Sequence, residues 1–466
     1  MTPCLPLRTG PHLFLDDHLI ERASGVTRQV VQPSRFLDQP VVTSAADHRN
    51  WQPWFTVLRD PVADRFRLWY DVETAPHADL QLAPALGYLE SADGVHWPGP
   101  FRRLTSVEPI TFGACVVADG PVDGFKLIYF TNDRHTSPVP SGPRVAFSSD
   151  GLKWTQHNGG QPVLVSSIYD DSNHAAFDPI RQRYFLIHKV SSPYMWTNAE
   201  GQTVQRECIR RYGITFSRDF KTWSRSRIIF SPDAGDPGLT EWYGLSGFIV
   251  RGDLIVAFLT VLRDDLTAAG APPEAVQCNM GNAGAGLGQT VLAWTRDGEH
   301  WERDRQADRF FEPDLRVGAW DHAVAWVESA VPVDDEVYLY YAGYRWGHKY
   351  QRKTDRQIGL VKTRRDRFVA RAAGAAGGCL TTPLVTLAGD RLALNADAAN
   401  GEVRVQVLDV EGRPVRGFTF AECRPITGDS LAASVDWNGS LAALRGQPVR
   451  LQIELRRAAL FALELN

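Results

Sequence analysis

The chain has 466 residues, of which 44% are hydrophobic and 22% charged, and its formal net charge is −4 at pH 7. This composition is typical of a folded globular protein, while the length exceeds that of one ordinary domain. The weakly acidic balance excludes a basic field for nucleic acid or for a membrane surface, and no apolar run is long enough to span a bilayer. The six cysteines are scattered, without the paired spacing of a zinc site or a disulfide framework.

A short phrase ending in tryptophan recurs along the chain and predicts an array of similar units. It reads SADGVHW at residues 91–97, SSDGLKW at 148–154, SRDFKTW at 217–223 and TRDGEHW at 295–301, with TRRDRF at 363–368 as a candidate fifth copy. Asp-Gly favours a tight hairpin turn, because glycine adopts positive φ without strain. We therefore interpret the phrase as structural: the aspartate caps a turn and the tryptophan packs between sheets.

Three short runs in each repeat, rich in aromatic and β-branched residues, predict strands rather than helices. In chain order they cover residues 54–58, 66–70 and 86–90; 114–117, 125–130 and 144–147; 173–177, 183–188 and 211–216; 244–250, 253–261 and 290–294; and 324–331, 336–342 and 357–362. A fourth strand would begin at the tryptophan of the phrase. Five such units predict an all-β fold, with a five-bladed β-propeller as the catalytic domain over residues 1–368.

Residues 369–466 have a different pattern and predict a second domain. A stretch of alanine and glycine at residues 370–378 marks the boundary. Short alternating runs follow at residues 380–387, 391–395, 403–408, 417–420, 434–437, 449–455 and 460–465. About seven short strands in such a segment predict a β-sandwich. We expect this accessory domain to pack against the propeller or to mediate assembly, which leaves a homo-oligomer open, with sugar binding as a weaker alternative.

Acidic residues stand before the first strand of four of the five predicted units, where side chains reach the mouth of a propeller's central channel. They are Asp47, Asp171, Glu241 and Asp321. Glu328 lies inside the apolar run AVAWVESAVPV. Burying a carboxylate there costs free energy unless the group has a partner or a function. A buried acid paired with an arginine, or capped by main-chain amides, is the alternative interpretation of Glu328.

Converging carboxylates are what glycoside cleavage requires: one protonates the leaving oxygen, a second is nucleophile or activates water, and a third orients the sugar or tunes the acid. We predict Glu241 as the general acid and Asp171 as the nucleophile or base. Asp321 and Glu328 are candidates for the third carboxylate. Asp47 is the alternative candidate for the nucleophile or base.

Aromatic and polar residues near the same positions are candidates for binding a sugar. Trp51, Trp242 and Tyr243 would supply an apolar platform, and their alternative role is core packing. The polar candidates for sugar hydroxyls are Asn173, His174, His322, Arg345 and His348. We predict no required cofactor or metal, although a structural cation in the channel is an option, and a carbohydrate as the partner.

From residue 13 to about residue 368 the chain resembles the five-bladed propeller glycosidases of glycoside hydrolase families 32, 43 and 68. The resemblance rests on the repeats, the acids before four of the five units, and the motifs WYDVE, FDPIRQRYFLIHK and VYLYYAGY. The phrases LFLDDHLIE and LTTPLVTLAGDRLALNAD are similar to the start and end of an uncharacterised family 32-like branch. The resemblance implies cleavage of a furanoside such as a fructoside or arabinoside. Since the Trp-Met-Asn-Asp-Pro-Asn nucleophile motif of family 32 is absent, the roles above rest on position.

Two other functions stay open at this point. A glycoside phosphorylase or transglycosylase would need basic residues for phosphate or a pocket that excludes water, and Arg49, Arg345 and Lys349 make phosphate binding feasible. A non-catalytic carbohydrate-binding propeller is the third hypothesis. The first residues, MTPCLPLRTGPHLFL, lack a charged start followed by a long apolar core, so we expect a cytoplasmic protein.

Overall fold

The structure is a computed structural model that describes residues 4–72, 85–107, 110, 112–131, 142–165, 169–272, 285–350 and 356–466. In these residues the regular structure is β-strand, apart from short 3₁₀ turns at Thr105–Val107, His157–Gly160 and Leu441–Leu444. The all-β prediction is confirmed. Among the described residues no helix has the length and hydrophobicity needed to cross a membrane.

Four short strands open the chain: β1 (Leu5–Leu7), β2 (Gly10–Leu13), β3 (Arg22–Ser24) and β4 (Thr27–Val30). Three antiparallel four-stranded sheets follow. The first has β5 (Asn50–Asp60), β6 (Arg65–Val72), β7 (Ala85–Ser91) and β8 (Arg102–Leu104). The second has β9 (Phe112–Val117), β10 (Phe125–Thr131), β11 (Gly142–Ser148) and β12 (Thr155–Gln156). The third has β13 (Tyr169–Asp178), β14 (Arg183–Thr197), β15 (Thr203–Ser217) and β16 (Arg227–Phe230).

A seven-stranded sheet comes next and contains two further antiparallel units. They are β17 (Thr240–Arg251), β18 (Leu254–Arg263), β19 (Leu287–Thr295) and β20 (Glu302–Arg303), then β21 (Val324–Val333), β22 (Glu336–Tyr344) and β23 (Gln357–Arg364). One parallel pair, Gly288 with Val324, joins the two units. The predicted strands of all five units lie within observed strands, except that Asp253 belongs to the turn before β18.

The first strands of the five units contact one another in a closed order, β5 to β9, β13, β17, β21 and back to β5. The outer edge of β23 pairs with the segment that precedes β5. Ser34 forms an antiparallel bridge with Lys362, and Val42 forms one with Ile358. Residues before the first unit therefore complete the last one.

The repeated phrase forms a turn that ties neighbouring units together. In all four copies the aspartate accepts hydrogen bonds from the main-chain amides two and three residues further on, at Asp93, Asp150, Asp219 and Asp297. In the second copy, the main-chain amides of Leu152 and Lys153 lower the pKa of Asp150 to about 2. The indole of Trp69 donates to Gly151 O at 2.8 Å, and the hydroxyl of Tyr340 donates to Gly94 O at 2.8 Å. The structural interpretation of the phrase is confirmed.

An eleven-stranded sheet contains the rest of the chain. Its strands after residue 368 are β24 (Val369–Ala373), β25 (Gly378–Thr381), β26 (Val385–Leu387), β27 (Leu392–Leu408), β28 (Ile426–Ser434), β29 (Pro448–Arg456) and β30 (Ala458–Leu465). Strands β1 to β4 pair with β26, β30, β25 and β24 respectively. The beginning and end of the chain thus share one sheet and one core, which includes Leu394, Val405, Ile453 and Leu463.

The strand predictions for this region are partly wrong. Residues 392–395 and 403–408 belong to the single long strand β27, and residues 417–420 lie in turns and bends. Strand β28 was not predicted, because ITGDSLAAS lacks a clear apolar alternation and most of its side chains are exposed or half-buried.

Candidate functional site

Each unit begins with an antiparallel hairpin, and this pairing decides which side chains can meet. In three units the start of the first strand lies opposite the end of the second: Asn50 pairs with Val72, Thr240 with Arg263, and Val324 with Tyr344. In the third unit Asn173 pairs with His188, and β14 continues beyond it to Thr197. Charged residues of the second strands, at or just beyond these positions, therefore join the acids predicted at the starts of the first. Those residues are Asp71, Lys189 and Asp264.

Glu241, near the start of β17, is buried in a cluster of opposite charges. Its Oε2 pairs with Nη1 of Arg210, and its Oε1 lies 4.0 Å from Nη2 of Arg206. The same Arg206 nitrogen is 3.6 Å from Asp264 Oδ2, and Lys349 Nζ pairs with Asp264 Oδ1. Burial, reinforced by the charge of Glu241, raises the pKa of Asp264 despite these basic neighbours. The cluster therefore combines two buried carboxyl groups with three basic side chains, and burial raises the pKa of one of the carboxyls.

The long hairpin of the third unit supplies both arginines of this cluster. Strands β14 and β15 have 15 residues each. Arg206 and Arg210 lie on either side of an irregularity in the pairing of β15 with β14, and both side chains reach Glu241. The hairpin's connecting turn is bound to the segment before β17, since Ala199 N donates to Asp236 O at 3.0 Å.

Asp171, near the start of β13, is the partner of Lys189 on the neighbouring strand β14. Its side chain is 18% exposed, against 2% for Glu241 and 0% for Asp264. Asp71 lies beside it and is fully buried. Burial raises the pKa of Asp71 well above its ordinary range, the Gly113 amide opposes this shift, and the charge of Asp171 adds to it.

Glu328, on β21, lies in the interior between the first strands. Its Oε2 is 3.7 Å from Nε2 of His174, and neither carboxyl oxygen has a hydrogen-bond partner of ordinary geometry. Burial raises the pKa of Glu328 well above its ordinary range and lowers the pKa of His174 to about 3. Although the separation would allow an ion pair, both shifts favour the neutral forms, and we interpret the contact as a neutral carboxyl next to a neutral imidazole.

A set of hydroxyl contacts joins the Asp171 side of the site to the Glu241 side. The Tyr212 hydroxyl lies 2.8 Å from Ser172 Oγ and 2.5 Å from the carbonyl oxygen of Tyr243. Ser172 follows Asp171 directly, and Tyr243 is two residues from Glu241. These contacts place the two acids at the same level of the adjacent strands β13 and β17.

Aromatic side chains form a wall next to these acids. The ring of Tyr243 is stacked between Trp326, at 4.3 Å between ring centroids, and Trp54, at 6.2 Å. His348 meets Tyr243 edge-on at 4.6 Å, and the Arg210 guanidinium lies 5.5 Å from the Tyr243 ring centroid. Trp54, Tyr243 and Trp326 are at most 4% exposed and belong to one apolar core, and both faces of the Tyr243 ring are covered. The wall therefore packs the interior beside the acids and offers no free face to a sugar ring.

Several predicted residues lie away from this group. The Asp321 carboxylate is 2.5 Å from Arg35 Nη1 and accepts a hydrogen bond from Tyr341 at 2.9 Å. Asp47 occupies an exposed turn, where its carbonyl oxygen accepts from Phe101 N at 2.9 Å. Both residues connect segments outside the site: Asp321 binds Arg35 through its carboxylate, and Asp47 binds Phe101 through its main chain.

Of the remaining predicted residues, some lie away from the site and others belong to it. Trp242 is fully buried in the core of the third and fourth units, with Arg303 4.4 Å from its ring centroid. The Nδ1 atom of His322 is 2.8 Å from Asp314 O. Trp51 is half-buried in β5, and Arg345 is exposed just after β22. The structure therefore brings together Asp171, Asn173, His174, Glu241, Tyr243, Glu328 and His348.

Sequence reasoning missed Asp71, Lys189, Asp264 and the two arginines of β15. A signal for the first three was present, because Asp71 and Lys189 directly follow a predicted second strand and Asp264 lies three residues beyond one. No local pattern reveals the arginines, since their position depends on how far the hairpin extends. In the described part of the chain no group of three or more histidine, cysteine, aspartate or glutamate side chains is placed to hold a metal ion.

Comparison with known proteins adds distant likenesses. No protein-family model matches the chain, and no curated protein matches it. A solved structure described as a glycoside hydrolase is 14% identical, covers 72% of this chain and 92% of its own, and has a TM-score of 0.48. One described as belonging to the GH130 family of mannoside phosphorylases and glycoside hydrolases is 15% identical, with coverage of 78% and 96% and a TM-score of 0.44.

The Bombyx mori GH32 β-fructofuranosidase BmSUC1 is 14% identical, with coverage of 92% of this chain and 94% of its own and a TM-score of 0.43. Several of the matching structures are described as glycoside hydrolases, which is the class of enzyme that the sequence predicts. At these identities and TM-scores the likeness transfers no residue role and no substrate to this chain.

Proposed function

We propose that this protein is a glycoside hydrolase whose substrate binds where the starts of β13 and β17 meet. In this proposal the five units are the blades of a five-bladed β-propeller, and residues 369–466, together with β1 to β4, form a β-sandwich accessory domain. The closed order of contacts among the first strands supports the propeller. The eleven-stranded sheet with its own apolar core supports the separate domain.

The observation that carries this proposal is the link between the starts of two neighbouring first strands: the Tyr212 hydroxyl contacts both Ser172, which follows Asp171, and the main-chain oxygen of Tyr243, two residues from Glu241. Two carboxyl groups at one substrate site are the minimum that glycoside cleavage needs. Asp171 is the more exposed of the two and is ion-paired with Lys189, so it suits the nucleophile or base.

Glu241 suits the general acid by its position, because it lies near the start of β17, the first strand adjacent to the one that carries Asp171. Arg210 would orient the Glu241 carboxyl toward the leaving oxygen. A furanoside such as a fructoside or arabinoside is the first substrate to test.

A screen of chromogenic pyranosides and furanosides tests the proposal, with Asp171→Asn and Glu241→Gln as variants and Glu302→Gln as the matched control. Glu302 is exposed on β20, so its variant should keep the activity of the wild type. Loss of an acid or base typically lowers the rate by about 10²- to 10⁴-fold. Activity should survive EDTA, because the proposal includes no metal. Binding of sugars without any turnover would instead favour a carbohydrate-binding protein.

A glycoside phosphorylase is the second candidate function. The observation that favours it is the set of basic side chains around Glu241 and Asp264, namely Arg206, Arg210 and Lys349, because such groups also bind phosphate. Measuring release of the chromophore with and without inorganic phosphate separates the two functions. A phosphorylase would form a sugar phosphate and depend on phosphate, whereas a hydrolase would not.

A further inference from the structure

Gly113, near the start of β9, contacts the main chain of Asp171 from one unit and lies next to the Asp71 carboxyl from another. The second unit is the one predicted unit without an acid before its first strand. Gly113 has a φ of +66°, and a Cβ atom there would lie 1.9 Å from the main-chain oxygen of Asp171 and 3.2 Å from Asn173 Nδ2. The main chain of the third unit therefore packs directly against this glycine, a contact that any side chain would prevent.

Asp71 faces the same glycine from the first unit. It lies near the end of β6, is 0% exposed, and has no hydrogen-bond partner of ordinary geometry on either carboxyl oxygen. A carboxylate in such a place would cost several kcal/mol, so the group favours the neutral form. Asp171 differs from it in both respects, because it is partly exposed and ion-paired with Lys189.

We propose that Asp71 is a positioning residue that keeps its proton next to Asp171, so that Asp171 is the member of this carboxyl pair that ionises. The inference rests on the proposed function of Asp171. A neutral Asp71 leaves a single negative charge at this point of the site, and ionisation of Asp71 would place a second charge beside it. The other titratable groups that the described residues place at the pair are Lys189 and Tyr212, both near Asp171.

Carbon-13 NMR of the full-length protein, labelled at aspartate carboxyls, tests the proton on Asp71 without any substrate. We expect one resonance that titrates well above the ordinary aspartate midpoint of 3.8 and that is missing from Asp71→Asn. The matched control, Asp123→Asn, changes an exposed aspartate of the same protein and should keep that resonance. If no resonance with a raised midpoint disappears in Asp71→Asn, the proposal is wrong, whether or not the protein proves to be a glycosidase.

The pH profile of kcat/KM tests the positioning role on the glycoside found in the screen. Asparagine imitates the neutral acid but cannot ionise. Asp71→Asn should therefore stay within about threefold of the wild type at acidic pH and lose, or shift upward, the decline at alkaline pH. An unchanged profile would overturn the proposal, and so would loss of activity at every pH in a folded Asp71→Asn variant, which would mean direct catalysis. Asp171→Asn should be inactive throughout, and failure of that result alone would contradict the proposed function instead.

Discussion

The buried carboxyl of Glu328 should make the free energy of unfolding depend on pH. Its oxygens have no hydrogen-bond partner of ordinary geometry, and burial raises its pKa well above the ordinary value of 4.5. Above pH 4.5 the unfolded chain loses this proton while the folded protein keeps it. The folded state then binds more protons than the unfolded state, so the contribution of Glu328 to stability falls as pH rises until the folded pKa is reached.

Replacing Glu328 by glutamine removes this dependence and keeps the shape of the side chain. Each pH unit in that range is worth about 1.4 kcal/mol. From pH 5 to pH 7 the free energy of unfolding of Glu328→Gln, relative to the wild type, should therefore rise by about 2.5 kcal/mol. Between pH 5 and pH 7 His174 titrates in the unfolded chain, while burial keeps it neutral in the folded protein. Because this holds for the wild type and for the variant, the effect of His174 cancels in the comparison.

Urea unfolding at pH 5, 6 and 7 measures the difference, followed by tryptophan fluorescence and by circular dichroism to confirm that the transitions coincide. Glu302→Gln is the control, because Glu302 is exposed on β20 and its variant should track the wild type at every pH. A difference between Glu328→Gln and the wild type that stays constant from pH 5 to pH 7 would refute the reasoning. It would mean that Glu328 is ionised in the folded protein, paired with a protonated His174 or with a bound cation.

Two further predictions concern the scaffold. Arg35→Ala should lower the free energy of unfolding by about 3–5 kcal/mol, because it leaves the buried carboxylate of Asp321 without its cation; thermal and urea unfolding measure this, and a cost below about 1 kcal/mol would contradict it. Asp150→Ala should cost about 1–2 kcal/mol, because the amides of Leu152 and Lys153 lose their acceptor. Its effect on unfolding should shrink as pH falls from about 4 to about 2, where Asp150 becomes half protonated, and an effect that stays constant over this range would argue against the hydrogen bonds of the carboxylate as its cause.

The amino-acid sequence by itself determined the strands and turns of the five units. Runs such as residues 66–70 and 336–342 are short, aromatic and β-branched, and the Asp-Gly phrase binds its own main chain. These preferences act between residues close in the chain, so they can be predicted without a fold. The position of an acid at the start of a first strand was predictable for the same reason, and Asp171 and Glu241 were found in this way.

Only the tertiary structure decided which of those acids meet and what charge each one faces. Asp321 looked equivalent to Glu241 in the sequence, yet it pairs with Arg35, 286 residues away. The main chain of Asp171 packs directly on Gly113 because this glycine has no side chain, and the charge of Asp171 raises the pKa of Asp71 from another unit. Residues 34–42 complete the fifth unit although they precede the first. Each of these results depends on pairings between distant strands, and the electrostatic environment of a carboxyl is set by burial and by such distant partners rather than by its neighbours in the chain.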